Sequence, residues 1–237
     1  MITQNIQPGK ISIIIPTINE AGNIKQTIAT TQRSTNIEVI VVDGGSQDDT
    51  VAIAGSLGVK VISSSPGRAV QMNTGAALAS GDILLFLHAD TLLPVGFDEM
   101  IRAALQQPGV IAGAFALRIN ADLASLRLVE KGVYWRSRLL QMPYGDQAIF
   151  MTKAVFQQVC GFPELPIMED FELIRRLKRL GKITILCVPV ITSARRWLQK
   201  GVFKTTLINQ IVIIAYLLKI KPARLRTWYS QGKFFKF

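Results

Sequence analysis

The stretch Asp82–Pro94, DILLFLHADTLLP, decides the fold prediction for this chain. Its residues 83–87 form a near-continuous apolar run, short enough for a strand that is buried on both faces. The run ends in His88-Ala89-Asp90, which separates two potential ligands by one residue, and Pro94 then stops the strand pattern. A carboxylate just beyond a buried strand lies at the carboxyl edge of a sheet, where open α/β folds bind ligands. We therefore expect Asp90 to hold a metal ion and the metal to hold a diphosphate.

Short apolar runs and helical patterns alternate on both sides of this stretch. Strands are predicted at Ile11–Ile15, Glu38–Val42 and Val59–Ile62, and helices at about 20–32, 48–57, 67–79 and 95–106. Asn19 is predicted to cap the first helix, and Ser46 and Asp49 to begin the second. Such alternation with short connections predicts a doubly wound α/β fold around a mostly parallel sheet.

The pattern changes after residue 108. Further strands are predicted at Val110–Ile119, Gly145–Met151 and Ile183–Val188, and further helices at about 121–141 and 152–159. Another helix begins at Met168-Glu169-Asp170 and is predicted to end with Gly181 as its left-handed terminal residue. No linker or internal repeat separates the two halves, which predicts one domain.

Charge is distributed unevenly along the chain, whose net charge is +11. Residues 1–172 carry 12 Lys/Arg and 16 Asp/Glu, whereas residues 173–237 carry 15 Lys/Arg and no acid. The basic end predicts an anionic partner, either a phosphorylated ligand, an anionic membrane or nucleic acid, and a merely solvated basic surface stays open as the alternative.

The setting is predicted from the cysteines and the N-terminus. Cys160 and Cys187 are too few for a disulfide framework and lack metal-site spacing. The first ten residues, MITQNIQPGK, show no signal pattern. Both observations predict a reduced, cytoplasmic environment.

A strongly apolar helix is predicted at Thr205–Leu218. Its length falls short of the ~20 residues that span a bilayer. Lysines 200, 204, 219 and 221 flank it, which suits an interfacial helix on an anionic membrane, on the inner face of the cell membrane. Packing against the core or in a homodimer interface is the alternative, and both interpretations stay open.

Polar residues follow three of the predicted strands at the point where each strand ends. Pro16-Thr17-Ile18-Asn19-Glu20 follows the first, Asp43-Gly44-Gly45-Ser46 the second, and His88-Ala89-Asp90 the fourth. Turns and caps use the same residue types, so each segment alone is weak evidence. In a parallel sheet the three ends lie along one edge, which predicts that they converge on a single ligand.

The motif series resembles that of family 2 inverting glycosyltransferases of the GT-A fold over about residues 10–200. The matching segments are IPTINE, VIVVDGGSQDDT, GRAVQMNTGAALASGDILLFLHADT and MEDFELIRRLKRLG. The compact size and the SARRW segment are similar to a bacterial subgroup linked with arsenosugar biosynthesis. The resemblance implies a GT-A-type mixed sheet flanked by helices in a domain at 1–200, with a nucleotide-sugar-binding half at 1–107 and an acceptor-binding half at 108–200. A basic helical extension would follow at 201–237.

The resemblance implies contacts to the nucleotide donor. Pro16, Thr17 and Glu20 match the first nucleotide-contacting loop, and Asp43 matches the aspartate that bonds the base, usually uracil. A carboxylate can accept from the imide N–H of uracil, although capping or turn formation is the alternative for Asp43. Arg68 matches the arginine of an R-x-x-x-x-N element that ends at Asn73, and its planar fork would face the base or the diphosphate. An ordinary surface arginine stays open as the alternative.

His88-Ala89-Asp90 matches the D-x-D metal motif, with His88 replacing the first aspartate. Asp90 matches the direct ligand to Mn²⁺ or Mg²⁺, so the resemblance implies a divalent cation. His88 would donate to a ribose hydroxyl or a phosphate, or ligate the metal through nitrogen and favour Mn²⁺. A histidine satisfied within the core is the alternative.

Glu169-Asp170 matches the acidic pair of the acceptor region. Inversion requires a base that deprotonates the incoming hydroxyl, and we expect Asp170 to be that base, with Glu169 in support. The alternative is that both acids only stabilise a helix N-terminus.

Arg195-Arg196-Trp197 resembles the R-W element near the diphosphate. The two guanidiniums would neutralise the leaving group, and Trp197 would stack on the acceptor or close the site. An exposed basic turn with a buried Trp is the alternative. Gly113 and Asp146-Gln147 fall where acceptor-side loops are expected.

These matches predict a metal-dependent inverting transferase that moves a sugar from a nucleoside-diphosphate donor, with a UDP-sugar expected, to a hydroxyl of a small molecule, lipid or glycan. A nucleotidylyltransferase would need a glycine-rich basic loop after the first strand, and IPTINEAGN is acidic. A catalytically inactive nucleotide-binding relative stays open because of His88. A nucleic-acid-binding protein is disfavoured because the acidic first part would repel a polyanion, and no nucleic acid is expected as a partner.

Overall fold

The computed structural model describes residues 9–231. Residues 1–8 lie outside the described residues. They make up most of the N-terminal segment for which the sequence predicts no signal peptide. Residues 232–237, which end the predicted extension, also lie outside the described residues.

One mixed sheet of eight strands crosses the whole domain. In chain order the strands are β1 (Ile11–Thr17), β2 (Ile37–Asp43), β3 (Lys60–Ser63), β4 (Ile83–Phe86), β5 (Thr91–Leu92), β6 (Val110–Asn120), β7 (Ile149–Thr152) and β8 (Lys182–Ser193). Their spatial order is β3-β2-β1-β4-β7-β6-β8-β5. The strands β3, β2, β1 and β4 are parallel, β7 runs antiparallel to both of its neighbours, and β6 pairs with β8 in parallel. The predicted mixed α/β sheet is confirmed.

Ten α-helices lie in the described residues. They are α1 (Ile24–Thr31), α2 (Thr50–Ser56), α3 (Arg68–Leu78), α4 (Phe97–Leu105), α5 (Ala124–Leu140), α6 (Lys153–Gln158), α7 (Glu169–Leu177), α8 (Arg195–Lys200), α9 (Val202–Leu217) and α10 (Pro222–Gln231).

The sheet is buried on both faces, which explains the apolar runs of its central strands. Ile13 and Ile15 of β1 join one core cluster with residues of α1, α4 and α5. Ile14 points the other way and joins a second cluster with α3, α6 and α7. This alternation follows from the two-residue period of a strand. Helices therefore cover both faces, and the carboxyl edge of the parallel strands is left for a site.

The predicted caps Asn19 and Ser46 are wrong, whereas Asp49 begins α2 as predicted. Asn19 adopts a positive φ of 53° and precedes α1 by several residues. Its backbone N–H donates to Ser46 Oγ at 2.9 Å, and its side-chain oxygen accepts from the Gln47 N–H at 2.8 Å. Asp49 occupies the N-cap position of α2 without a side-chain capping bond. The polar side chains bond across two loops, and this tertiary pairing replaces the predicted local caps.

Two predicted boundaries in the second half also differ from the structure. Residues Gly145–Gln147 form a 3₁₀ turn, so β7 begins only at Ile149. The helix α7 ends at Leu177, and Gly181 does not have a positive φ. A side chain at Gly181 would lie 2.9 Å from Ile111 Cγ2, so this glycine allows close packing instead of ending a helix.

The last predicted strand is longer than expected. β8 continues past Pro189 because the register against β6 shifts between Phe115 and Ala116. The shift leaves two residues of β8 out of the ladder and allows the strand to reach Ser193.

The C-terminal helices pack onto the domain. Ile208, Val212 and Ala215 of α9 form a cluster with Phe171 of α7 and Leu225 of α10. One face of the predicted apolar helix is thus part of a core. Among the described residues, no helix is both long and apolar enough to cross a membrane.

Candidate donor and acceptor site

A cavity of about 670 Å³ lies at the carboxyl ends of β1 and β4. Its walls come from the loop after β1, the start of α3, the turn before β7, the start of α7 and the C-terminal helices. Most of the predicted site residues line it: Pro16, Thr17, Glu20, Arg68, His88, Asp90, Glu169, Asp170, Arg195, Arg196 and Trp197. The segments after β1 and β4 and the two later motifs therefore contribute to one site. The predicted convergence of all three strand-end segments is wrong, because Asp43-Gly44-Gly45-Ser46 does not line the cavity.

Asp43 lies behind the cavity wall and is 4% exposed. Its Oδ2 accepts from the backbone N–H groups of Gly45 and Ser46, each at 2.9 Å, and its Oδ1 accepts from the Ser46 hydroxyl. This carboxylate thus holds its own loop, the arrangement that the turn-forming alternative describes. Base contact by Asp43 stays a prediction.

Gln71 is a cavity residue that the sequence analysis missed. Its buried Nε2 donates to the carbonyl oxygens of Thr17 and Val42, each at 2.8 Å, and so ties the ends of β1 and β2 together. Gly44 passes so close that a Cβ there would lie 3.0 Å from Gln71 Nε2. A lone glutamine on a helix gives no sequence signal for this role.

Arg195 lies between two carboxylates at the ends of β1 and β4. Its Nη2 is 2.6 Å from Glu20 Oε1 and 3.9 Å from Asp90 Oδ2. Burial raises the pKa of Asp90, the negative charge of Glu20 raises it further, and Arg195 opposes both effects. The pair of acids therefore attracts a cation at this edge of the sheet.

The carboxylates at this edge suit a cation that is shared with a bound ligand, not one that is enclosed by protein side chains. Within residues 9–231 there is no group of three or more His, Cys, Asp or Glu side chains that could hold a metal ion. Mg²⁺ is commonly bound through one or two carboxylates together with substrate phosphates and water. Asp90, with Glu20 near it, supplies such carboxylates, and the guanidinium of Arg195 shows that positive charge is accommodated here. A divalent cation fits if a diphosphate completes its coordination.

His88 lines the cavity beside Gly145. Burial, and then the charge of Arg68, lowers the pKa of His88 to about 3, so the imidazole is neutral near pH 7. Its buried Nε2 has no hydrogen-bond partner among the described residues. A Cβ on Gly145 would lie 3.0 Å from this nitrogen and 3.2 Å from Asp170 Oδ2. His88 and Asp170 therefore flank one glycine, and metal ligation by His88 stays a prediction.

The acidic pair at the start of α7 has two different environments. Glu169 is 4% exposed and its Oε1 lies 3.3 Å from Arg68 Nε at the start of α3. Burial raises the pKa of Glu169, and Arg68 opposes that shift. Asp170 Oδ2 accepts from the Gly145 N–H at 2.7 Å, while Oδ1 accepts from the Phe171 N–H at 2.7 Å. Glu169 is thus paired with a cation, and Asp170 is oriented by backbone donors.

Asp146 is a third acid in this part of the cavity. Burial raises the pKa of Asp146 to about 6, Arg136 opposes the shift, and Asp170 adds to it. Its buried Oδ1 has no hydrogen-bond partner among the described residues. The sequence predicted an acceptor-side loop here but gave Asp146 no role.

Three other residues of the predicted motifs are structural. Gln147 is fully buried, accepts from the Ser137 hydroxyl at 2.9 Å and donates to the Phe115 carbonyl at 2.9 Å. Gly113 packs against the Phe150 ring, which leaves no room for a Cβ at this position. Asn73 exchanges two hydrogen bonds with the backbone of Phe162.

Arg196 lies on a different part of the wall from Arg195. Its guanidinium carbon lies 3.6 Å from the centre of the Tyr229 ring on α10. Nε and Nη2 are buried without hydrogen-bond partners among the described residues, and burial lowers the pKa of Arg196 to about 10. Trp197 Nε1 is likewise buried and unpaired within that part of the chain. Groups of this kind are available to a bound polar ligand.

The C-terminal helices complete this wall. Asn209 of α9 and Arg226 and Tyr229 of α10 line the cavity. The sequence analysis missed them because the segment after residue 200 contains no recognisable motif. The predicted boundary between the domain and its C-terminal extension, at residue 200, therefore falls between α8 and α9, and both helices line the same cavity.

Comparison with known proteins gives the site a context. Residues 12–160 match the family described as Glycosyl transferase family 2. A PGL/p-HBAD biosynthesis glycosyltransferase of Mycobacterium tuberculosis is 41% identical over 91 residues, a match that covers 35% of this chain and 36% of that protein. The chain thus matches about a third of that curated relative.

Two solved structures share the fold. One is the mannosyltransferase PcManGT from Pyrobaculum calidifontis in complex with GDP-Man and Mn²⁺, with a TM-score of 0.66 and 18% identity, covering 95% of this chain and 69% of that one. The other is S. aureus TarS 1-349 in complex with UDP, with a TM-score of 0.64 and 18% identity, covering 78% of this chain and 60% of that one. At this identity the likeness establishes the GT-A architecture.

Proposed function

The chain belongs to glycosyl transferase family 2, and on that premise we propose that it transfers a sugar from a nucleoside-diphosphate donor to an acceptor hydroxyl. The observation that carries the proposal is the arrangement of one cavity. Glu20 and Asp90 lie with Arg195 on the sheet edge, while Asp170 and Asp146 lie on the acceptor side. A metal-assisted donor site and a carboxylate base are the two parts that a single displacement at an anomeric carbon requires.

The nucleoside would lie against the loop after β1, in contact with Pro16, Thr17 and Glu20. We propose a UDP-sugar as donor, with Asp43 meeting the base at the edge of its loop. Two proteins that share the fold are described in complex with UDP and with GDP-Man and Mn²⁺, which supports a nucleotide-sugar donor and a divalent cation. Asp90 would hold the cation, Mn²⁺ or Mg²⁺, which supplies charge neutralisation for the diphosphate.

In the reaction, Asp170 takes the proton from the acceptor hydroxyl as that oxygen attacks the anomeric carbon. The bond from this carbon to the diphosphate oxygen breaks on the opposite face, so the configuration inverts without a covalent enzyme intermediate. The Gly145 N–H orients Asp170, and Arg68 compensates the charge of Glu169. Arg195 and Arg196 stabilise the departing diphosphate, and Trp197 contacts the acceptor.

The acceptor is proposed to be a small molecule, lipid or glycan, and the setting cytoplasmic. The arsenosugar subgroup predicted from SARRW finds no support in the relatives above, since the M. tuberculosis protein is a PGL/p-HBAD biosynthesis glycosyltransferase. That closer assignment is therefore not part of the proposal.

A thermal-shift panel of UDP- and GDP-sugars, each with and without Mn²⁺, tests the donor site. We expect metal-dependent stabilisation by UDP compounds that Asp90→Ala abolishes. Asp82→Ala is the matched control, because this exposed carboxylate precedes the amino end of the same strand β4. Absence of any shift with nucleoside diphosphates would contradict the proposal, as would tight binding of random DNA or RNA in a gel shift at moderate salt.

A further inference from the structure

Large apolar side chains are exposed on the outer faces of α5 and α9. On α9, Phe203 is 82% exposed, and Leu218 at the C-terminal end of the helix is 73% exposed. On α5, Leu139 is 69% exposed. The full set on these two helices is Leu128, Trp135, Leu139, Leu140, Phe203, Leu207, Ile214, Leu217 and Leu218. Single exposed apolar residues are normal, but a concentration on neighbouring elements marks an interaction surface.

The exposed residues form a stripe along each helix. On α9 they recur at three- and four-residue spacing, opposite the face with Ile208 and Val212 that packs into the core. On α5, Leu128, Trp135 and Leu139 likewise lie opposite the buried Leu126 and Ser137. The helices α5 and α9 contact each other, so the two stripes lie on neighbouring helices. We refer to them together as the α5–α9 face.

Basic residues border the α5–α9 face. Exposed Lys131 and Arg138 lie on α5, exposed Lys204 on α9, and exposed Lys219 and Lys221 follow α9. From residue 173 onward the sequence contains no acid. On α5, Glu130 is neutralised by an ion pair with Arg127. An apolar surface with such a basic border suits a partner that is apolar inside and anionic at its boundary.

We propose that the α5–α9 face docks on an anionic lipid bilayer, with both helices in the plane of the interface. The apolar side chains would enter the region below the headgroups and the lysines would meet the lipid phosphates. Trp135 suits this level of the membrane, where tryptophan is enriched. A second copy of the chain fits less well, because two such faces would bring their basic borders together.

Vesicle co-sedimentation of the full chain tests the proposal. We expect binding to phosphatidylcholine vesicles that contain phosphatidylglycerol, weaker binding as salt is raised, and little binding to phosphatidylcholine alone. Leu207→Ser with Ile214→Ser should lower the partition about tenfold or more. Lys204→Glu with Lys219→Glu should lower it selectively for the anionic vesicles.

The matched controls are Leu78→Ser on α3 and Lys25→Glu on α1, both exposed and outside the α5–α9 face. They should leave vesicle binding unchanged, and all variants should melt like the parent because the altered side chains are exposed. Equal binding by parent and Leu207/Ile214 variant would overturn the proposal. So would sedimentation velocity that shows a dimer which this variant dissociates, since the face would then be covered by a second copy. The assay needs no nucleotide sugar, so its outcome is separate from that of the transferase proposal.

Discussion

Arg195 and Glu20 form an ion pair across the cavity, with Nη2 2.6 Å from Oε1. Arg195 begins α8 directly after β8, and Glu20 follows β1, so the pair joins the two halves of the sheet. The Arg195 side chain is 48% exposed and that of Glu20 16%. At such exposure an ion pair adds little to the free energy of folding. Its importance lies in the charge that it places 3.9 Å from Asp90.

The first prediction concerns the substitution Arg195→Gln. Burial and Glu20 already raise the pKa of Asp90, and removal of the guanidinium should raise it further. Because a metal ion binds the ionised carboxylate, Mn²⁺-dependent UDP binding should weaken more at pH 6 than at pH 8. Isothermal titration calorimetry at both pH values measures this.

The control for this prediction is Arg175→Gln, which breaks the ion pair with Glu172 on α7 outside the cavity. It should leave UDP affinity unchanged at both pH values. Parent-like UDP affinity for Arg195→Gln at pH 6 would show that Arg195 does not influence the donor site.

The second prediction concerns Gly145→Ala. The added methyl group would lie 3.0 Å from His88 Nε2 and 3.2 Å from Asp170 Oδ2, so one of them must move by a few tenths of an ångström. Turnover should fall about tenfold or more, since small displacements of catalytic groups are costly, whereas donor affinity should change little. Steady-state kinetics with titration of the donor separates the two effects.

Gly132→Ala provides the comparison, because nothing lies within 4 Å of a Cβ at that position. It should retain full turnover. If Gly145→Ala turns over at the same rate as Gly132→Ala, the contact between His88, Gly145 and Asp170 has no role in the reaction.

The third prediction distinguishes the two acids of the acceptor side. Asp170→Asn should keep donor binding and lose about 10²–10⁴-fold in turnover, the usual contribution of a general base. Asp146→Asn should retain most of the turnover, because in the proposed reaction it does not take the proton. Single-turnover sugar transfer measures both variants. The reverse ranking would transfer the role of base to Asp146.

The sequence predicted the residues at the carboxyl ends of β1 and β4 well because its signals are local. Buried parallel strands read as apolar runs, and the polar residues after β1 and β4 lie where the strands end. Glu20, His88 and Asp90 could therefore be placed at one edge from spacing alone. The length of β8 could not, since a register shift against β6 allows it to pass Pro189.

The acceptor side depends on tertiary packing that no local pattern encodes. The perturbed state of Asp146 arises from burial by surrounding elements, and Asn209 and Tyr229 reach the cavity only because α9 and α10 pack on α7. The cap predictions for Asn19 and Ser46 failed for a related reason. The Ser46 hydroxyl accepts from the Asn19 N–H and the Asn19 side chain accepts from the Gln47 N–H, and the sequence does not reveal these cross-loop partners.

The last prediction follows from the pKa of Asp146, which burial raises from 3.8 to about 6. The folded chain binds the Asp146 proton more tightly than the unfolded chain does. Ionisation of Asp146 therefore lowers the free energy of unfolding as pH rises from about 4 to about 6, and the full loss is reached above about pH 6. Asp146→Asn should therefore raise the free energy of unfolding by about 1–2 kcal/mol at pH 7.5, after discounting for the half-buried side chain. At pH 4 the gain should nearly vanish. Urea unfolding at both pH values measures the difference, with exposed Asp82→Asn as control, and an equal gain at both would contradict the assigned shift.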